Sequence, residues 1–242
     1  MKIIEVFANR RSGHHFFMSW LVSNLSGFKD TKIKELNRIT WINDEICHYN
    51  DATYHAFFDE EKVKNEIKEI INKNPKYLII NYEESGLYNK LNKEGAFLYE
   101  YDTLKLVFIR DFLNTFASKW AVSETDLREF YFGFKYKEQI LENINTWKTI
   151  AESYISDISI GIKYEEVLQD EEKRDEILRH FNVTEKIKPN ELQGTKSSFS
   201  TNNFNERYKE VNFSDLFKSI IKDDINLQNL IDKLDYNKIG SI

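Results

Sequence analysis

Three segments of this 242-residue sequence set polar side chains directly after an apolar run. The first is Ala8-Asn9-Arg10-Arg11-Ser12-Gly13-His14-His15-Phe16, which follows Ile3-Ile4-Glu5-Val6-Phe7. A strand that enters a glycine turn and then a helix aims backbone N–H groups and a helix start at one point, which suits a phosphate. Arg10, Arg11 and Ser12 add side-chain donors. The nucleoside-triphosphate signature Gly-x-x-x-x-Gly-Lys-Ser/Thr is absent, with one glycine and no lysine after it. The same residues also read as a plain basic turn capped by Ser12.

In the second segment Val107-Phe108-Ile109 runs into Arg110-Asp111, and Ser118 follows eight positions after Arg110. A guanidinium at a strand's carboxyl end can fork onto two phosphate oxygens. An Asp111 N-cap with an Arg110 ion pair would explain the same residues. In the third segment the run 77–82 is followed by Glu83 and Glu84, two carboxylates placed to take a proton. His14 and His15 compete for that task, since imidazole is suited to it near neutral pH. Side chains at adjacent helical positions diverge by about 100°. One of the two histidines at most is therefore expected to face a bound group, the other packing or capping.

For these segments to act together, their strands must lie side by side. Residues 2–7, 77–82, 104–109 and 158–163 read as short buried strands. Helices are expected over 14–26, over 59–73 with Val63, Ile67, Ile70 and Ile71 on one face, and over 111–121. Further helices are expected over roughly 126–154, within 165–181 and within 213–235. Residues 28–58 read as aromatic and irregular. The alternation predicts an α/β fold over 1–242 as one domain, with a mostly parallel central sheet flanked by helices on both faces. Ligands of such sheets sit beyond the carboxyl ends of the strands, here just after 7, 82, 109 and 163.

Composition narrows the classes. Hydrophobic residues at 41% and aromatic residues at 14% exclude wholesale disorder. Thirty-four basic against 40 acidic residues give a net charge of −6, which weighs against non-specific nucleic-acid binding but allows a local basic pocket. The single cysteine, Cys47, has no intrachain partner, no Cys/His cluster has zinc-like spacing, and Cys47 reads as a small inert hydrophobe. No apolar run of about 18 residues predicts a membrane span. Arg10 and Arg11 interrupt the first strand too soon for a secretory leader, so a cytoplasmic location is expected. His48 and His55 lie in the aromatic stretch 40–58, which reads as core more readily than as an acceptor cleft.

Taken together and in order, the segments resemble the sulfotransferases that use 3′-phosphoadenosine-5′-phosphosulfate (PAPS). Their first strand ends in a loop of the form Lys/Arg-Ser-Gly-Thr-Thr-Trp, here Arg11-Ser12-Gly13-His14-His15-Phe16. A middle strand ends in an arginine with a serine eight residues on, here Arg110 and Ser118. A later strand ends in Tyr-Glu-Asp-Leu, here Tyr164-Glu165-Glu166-Val167. The resemblance covers about residues 2–182 and implies a P-loop-like sulfotransferase fold. It implies that the loop grips the 5′-phosphosulfate, that Arg110 and Ser118 bind the 3′-phosphate, and that Tyr164 and Phe16 lie near adenine. Arg11 replaces the lysine of many members, and the two threonine hydroxyls are lost to His14 and His15. The family's C-terminal Arg-Lys-Gly element is not recognisable, and Lys196, Ser197 and Ser198 are the candidate replacement. Arg207 reads as a surface ion pair, with a place near the 3′-phosphate as the alternative.

In the family's heparan-type branch the strand corresponding to 77–82 ends in a glutamate proposed as the base, which Glu83 matches; Glu84 departs from the branch's lysine. The resemblance thus implies sulfuryl transfer to a hydroxyl, as in a bacterial-type carbohydrate sulfotransferase, without a metal. The expected catalytic residues are Glu83, Arg11 and His14, with Glu84 and His15 as rivals for the base. A small-molecule or glycan acceptor would be shaped by 28–58, 84–103 and 122–140. Two alternatives remain: a P-loop-type small-molecule kinase, and a non-catalytic nucleotide-binding module on the same fold.

Overall fold

The computed structural model describes residues 1–9, 12–27, 39–50, 60–83, 97–123, 136–156, 159–183, 186–188, 206–236 and 239–241. Six strands form one sheet: β1 Lys2–Ala8, β2 Ile39–Asn43, β3 Ile46–Asn50, β4 Tyr77–Glu83, β5 Thr103–Ile109 and β6 Ile160–Lys163. Their order is β2-β3-β4-β1-β5-β6. β2 runs antiparallel to β3, and every other pair is parallel. β4 is buried at every position and β1 at all but its first, as expected of strands covered on both faces.

The helices are α1 His14–Ser26, α2 Glu60–Asn72, α3 Phe112–Ser123, α4 Lys137–Ile155, α5 Tyr164–Gln169, α6 Glu171–Arg179, α7 Asp215–Asp223 and α8 Ile225–Lys233. One face of the sheet is covered by α1, α5 and α6, which meet Ile4, Val6, Ile79, Leu106 and Phe108. The other is covered by α2, α3, α4, α7 and α8, which meet Ile3, Phe7, Leu78, Ile80 and Val107. The alternation along β1 therefore feeds two cores. Phe17 stacks on Phe108 with centroids 4.9 Å apart, fastening α1 to β5. On the opposite face Phe112, Phe116, Phe213 and Phe217 form an aromatic cluster.

Local signals fix the helix ends. Asp111 accepts from the Asn114 backbone at 2.8 Å and so caps α3, as the sequence suggested. Asp170, Ser214 and Asp224 cap α6, α7 and α8 in the same way. Gly27, at φ 74°, closes α1.

The stretch expected to be irregular differs. It contains the β2–β3 hairpin, turned at Asp44 and Glu45. Asn43 Oδ1 accepts from the Glu45 and Ile46 backbones at 2.9 and 2.8 Å, an Asx turn that replaces the glycine signal usual at hairpins. His48 and Cys47 belong to β3 and are buried in the sheet. Burial pushes the Cys47 thiol up to about 12, which keeps it unreactive.

Register sets the site. Ala8, the last residue of β1, pairs with Glu83 on one side and Phe108 on the other. The chain leaves β1 toward β3 and β4 on one side and crosses to β5 on the other. The crevice at the carboxyl ends of β4, β1 and β5 is thus a topological switch point.

Candidate active site

The turn after β1 is closed by its own residues. Ser12 donates to the Asn9 carbonyl twice, from its backbone at 3.2 Å and from its hydroxyl at 2.7 Å, and is fully buried. Its hydroxyl proton is therefore used within the turn. Gly13 follows at φ 90°, a left-handed conformation that L side chains rarely adopt. Its carbonyl accepts from the Phe16 and Phe17 backbones and starts α1. The N–H groups of the first helical turn have no partner inside the helix, so they and the helix dipole point at the crevice.

Tyr164, at the carboxyl end of β6, closes the far side. Its ring lies so near Gly13 that a Cβ there would come 2.5 Å from its Cε2. The Arg110 guanidinium carbon lies 4.7 Å from the centre of the same ring. Phe16 and Phe108 each meet it edge-on at 6.2 Å. Arg110 is 2% exposed, and its carbonyl accepts from the Trp147 indole at 3.2 Å and the Thr115 hydroxyl at 3.5 Å. Its backbone is thereby anchored.

Arg207 is not the surface residue expected. It is buried, in a 3-10 turn Arg207–Glu210 that packs on α3. Burial, and then the charge of Arg207, lower the Arg110 pKa. The like charges of the two guanidiniums oppose each other, while Tyr164, Glu165 and Asp111 act the other way on Arg110. The only forward signal for Arg207 was its neighbour Tyr208, an apolar anchor that carries the turn inward. Ser118 is buried on α3, on the helix face of Asp111 and Asn114. Glu165, beside Tyr164, has its carboxyl pushed up to about 7 by burial, with Arg110 opposing.

On the other side of the turn stands Glu83. The two-residue period of β4 puts it on the α1 face of the sheet, where it is 5% exposed. His14 Nε2 lies 2.6 Å and His15 Nε2 3.1 Å from Glu83 Oε1. Both histidines therefore converge on one carboxylate, against the expectation that adjacent positions diverge. They open the helix, where no preceding turn restricts their rotamers, and their rings lie 3.9 Å apart. Burial alone would raise the Glu83 pKa, but the two histidines outweigh it and hold the carboxyl well below the usual range. His14 is 1% exposed, whereas the His15 side chain is 34% exposed. His48 lies buried nearby, its imidazole pushed down to about 3 by burial and then by His15 and His14.

Among solved structures, the chain matches a sulfotransferase domain from the curacin biosynthetic pathway, at 12% identity and a TM-score of 0.50, over 98% of each chain. This chain has the sulfotransferase fold. No protein-family model and no curated protein sequence matches it. On that fold the structure brings Ser12, Gly13, His14, His15, Phe16, Glu83, Arg110 and Tyr164 around the switch point. Arg10, Arg11, Glu84, Lys196, Ser197 and Ser198 lie outside the described residues. None of the described helices is long and apolar enough to cross a membrane.

Proposed function

We propose that this chain is a PAPS-dependent sulfotransferase acting on a hydroxyl of a carbohydrate-type acceptor. The observation that carries the reading is that the buried Arg110, with Arg207 near it, lies on the ring of Tyr164, which also packs against Gly13 at the start of α1. One helix start and one guanidinium pair suit the two separate phosphate positions of PAPS. Arg110, Arg207 and Ser118 hold the 3′-phosphate; the first-turn N–H groups of α1, with Arg10 and Arg11, hold the 5′-phosphosulfate; Tyr164 and Phe16 frame the base. Lys196, Ser197 and Ser198 close over the nucleotide. The donor supplies a sulfuryl group whose bond to the 5′-phosphate breaks as the acceptor oxygen bonds to sulfur.

The acceptor's proton goes to the His15–Glu83 pair. His15 is the exposed imidazole and Glu83 the buried carboxylate that orients it, with His14 fixing Glu83 from behind. This transfers the role of base from Glu83 alone to a pair. Arg11 and the helix start face the charge that moves onto the leaving phosphate.

Calorimetry with adenosine 3′,5′-bisphosphate, and with ATP as control, tests the reading. Tight binding of the bisphosphate without magnesium is the expected result. A preference for magnesium-ATP would replace the proposal with a small-molecule kinase. Bisphosphate binding without sulfuryl transfer to any hydroxyl acceptor would replace it with a non-catalytic nucleotide-binding module.

A further inference from the structure

We propose that His14, His15 and Glu83 bind one divalent transition-metal ion of the zinc class. One ligand atom from each of the three residues lies within 4.8 Å of the others. Glu83 Oε1 is 2.6 and 3.1 Å from the two imidazole Nε2 atoms. Four-coordinate zinc, with bonds of about 2.0–2.1 Å, sets neighbouring ligand atoms about 3.3 Å apart. Small outward shifts of the rings would therefore seat an ion among the three. Two imidazoles and one carboxylate suit Zn²⁺, Co²⁺ or Ni²⁺, and supply too few oxygens for Ca²⁺ or Mg²⁺.

A second observation comes from β3. His48 is 1% exposed, and neither ring nitrogen has a hydrogen-bond partner. Buried polar groups are nearly always satisfied, so such an imidazole points to a partner still to be supplied. His48 lies close enough to feel the charges of His15, His14 and Glu83. His48 is not one of the three residues whose ligand atoms lie within 4.8 Å of one another, so it neighbours the site without being one of its ligands, while the partial exposure of His15 gives an ion its way in. Ion binding depends on side-chain placement alone, but a bound ion would occupy the His15 and Glu83 atoms that take the acceptor's proton in the proposed function, so it would block turnover rather than assist it.

Titration of the nucleotide-free full chain with zinc chloride, followed by calorimetry and thermal melting, tests it. One Zn²⁺ per chain and a raised Tm are expected, with Co²⁺ giving the visible absorption of a histidine-ligated site. His15→Ala and Glu83→Gln should each weaken Zn²⁺ binding by more than about tenfold. His180→Ala, an exposed histidine at the end of α6, should leave it unchanged. Far-UV circular dichroism and a cooperative melt establish that each variant is folded; His15→Ala, at a partly exposed position, keeps the test open if Glu83→Gln does not fold. Absence of Zn²⁺ binding to the wild-type chain, or unchanged binding in folded His15→Ala, would overturn the proposal.

Discussion

The backbone of Gly13 lies against the ring of Tyr164 so closely that a methyl group on its Cα would come within 2.5 Å of Cε2. The first strand end and the last are thereby locked together through a single glycine. That glycine is also at φ 90°, so any side chain there meets backbone strain as well as the ring. Gly13→Ala should cost about 1–3 kcal/mol of stability, read by urea denaturation. Tyr164→Ala in the same chain should relieve the contact but not the strain. The double variant should then be less destabilised than the two single costs summed. Strict additivity would show that the ring does not constrain the turn.

Arg110 and Arg207 are buried like charges near one tyrosine. Arg110→Ala and Arg207→Ala should each weaken adenosine 3′,5′-bisphosphate binding by about 30-fold or more, a loss of about 2 kcal/mol or more. Arg110→Lys should not restore it, because a point charge replaces a planar fork. Calorimetry reads both. Unchanged affinity in Arg207→Ala would return that residue to a purely structural role.

The His15–Glu83 pair separates binding from chemistry. His15→Ala and Glu83→Gln should keep nucleotide affinity within a few-fold and lower turnover by about 10²–10⁴-fold. Turnover is followed by transfer of labelled sulfate to the acceptor. A parallel loss of nucleotide affinity would move the pair from acceptor to donor.

Glu165 makes stability depend on pH. Burial raises its carboxyl from 4.5 to about 7. Between those values the folded chain holds a proton that the unfolded chain has released, so stability falls as pH rises. The slope for one such group approaches about 1.4 kcal/mol per pH unit, and the loss is complete above pH 7. Glu165→Gln should therefore flatten the fall between pH 5 and pH 8 in urea titrations. Parallel wild-type and variant curves would show that Glu165 ionises freely.

Much of this frame was legible in sequence because β1, β4 and β5 are mostly apolar runs, interrupted only by Glu5, Asn81 and Lys105, that lead into polar residues, a pattern expected of strands covered on both faces. The Arg110 to Ser118 spacing was legible because a strand end and a helix fix each other at short range. The β2–β3 hairpin was not, since Asn43 builds its turn by side-chain acceptance and no glycine marks it. Nor was the meeting of His14 with His15 at Glu83, which depends on rotamers and on a pairing of Ala8 with Glu83 across 75 positions. Arg207 was misread because a charged residue near a polar segment reads as surface, and only tertiary packing of Tyr208 draws it inward.

β1 stands between β4 and β5, though it precedes both in the chain. Its first partner, Tyr77, is 75 residues away from Lys2, and its other neighbour begins to pair at Thr103. A chain leaving the ribosome therefore carries its central strand for about a hundred residues before both edges are filled. Such long-range closure slows folding and leaves an apolar edge open to other strands in the interval. The crevice built on Ala8, Glu83 and Phe108 needs all three strands and is then among the last parts of the molecule to take shape.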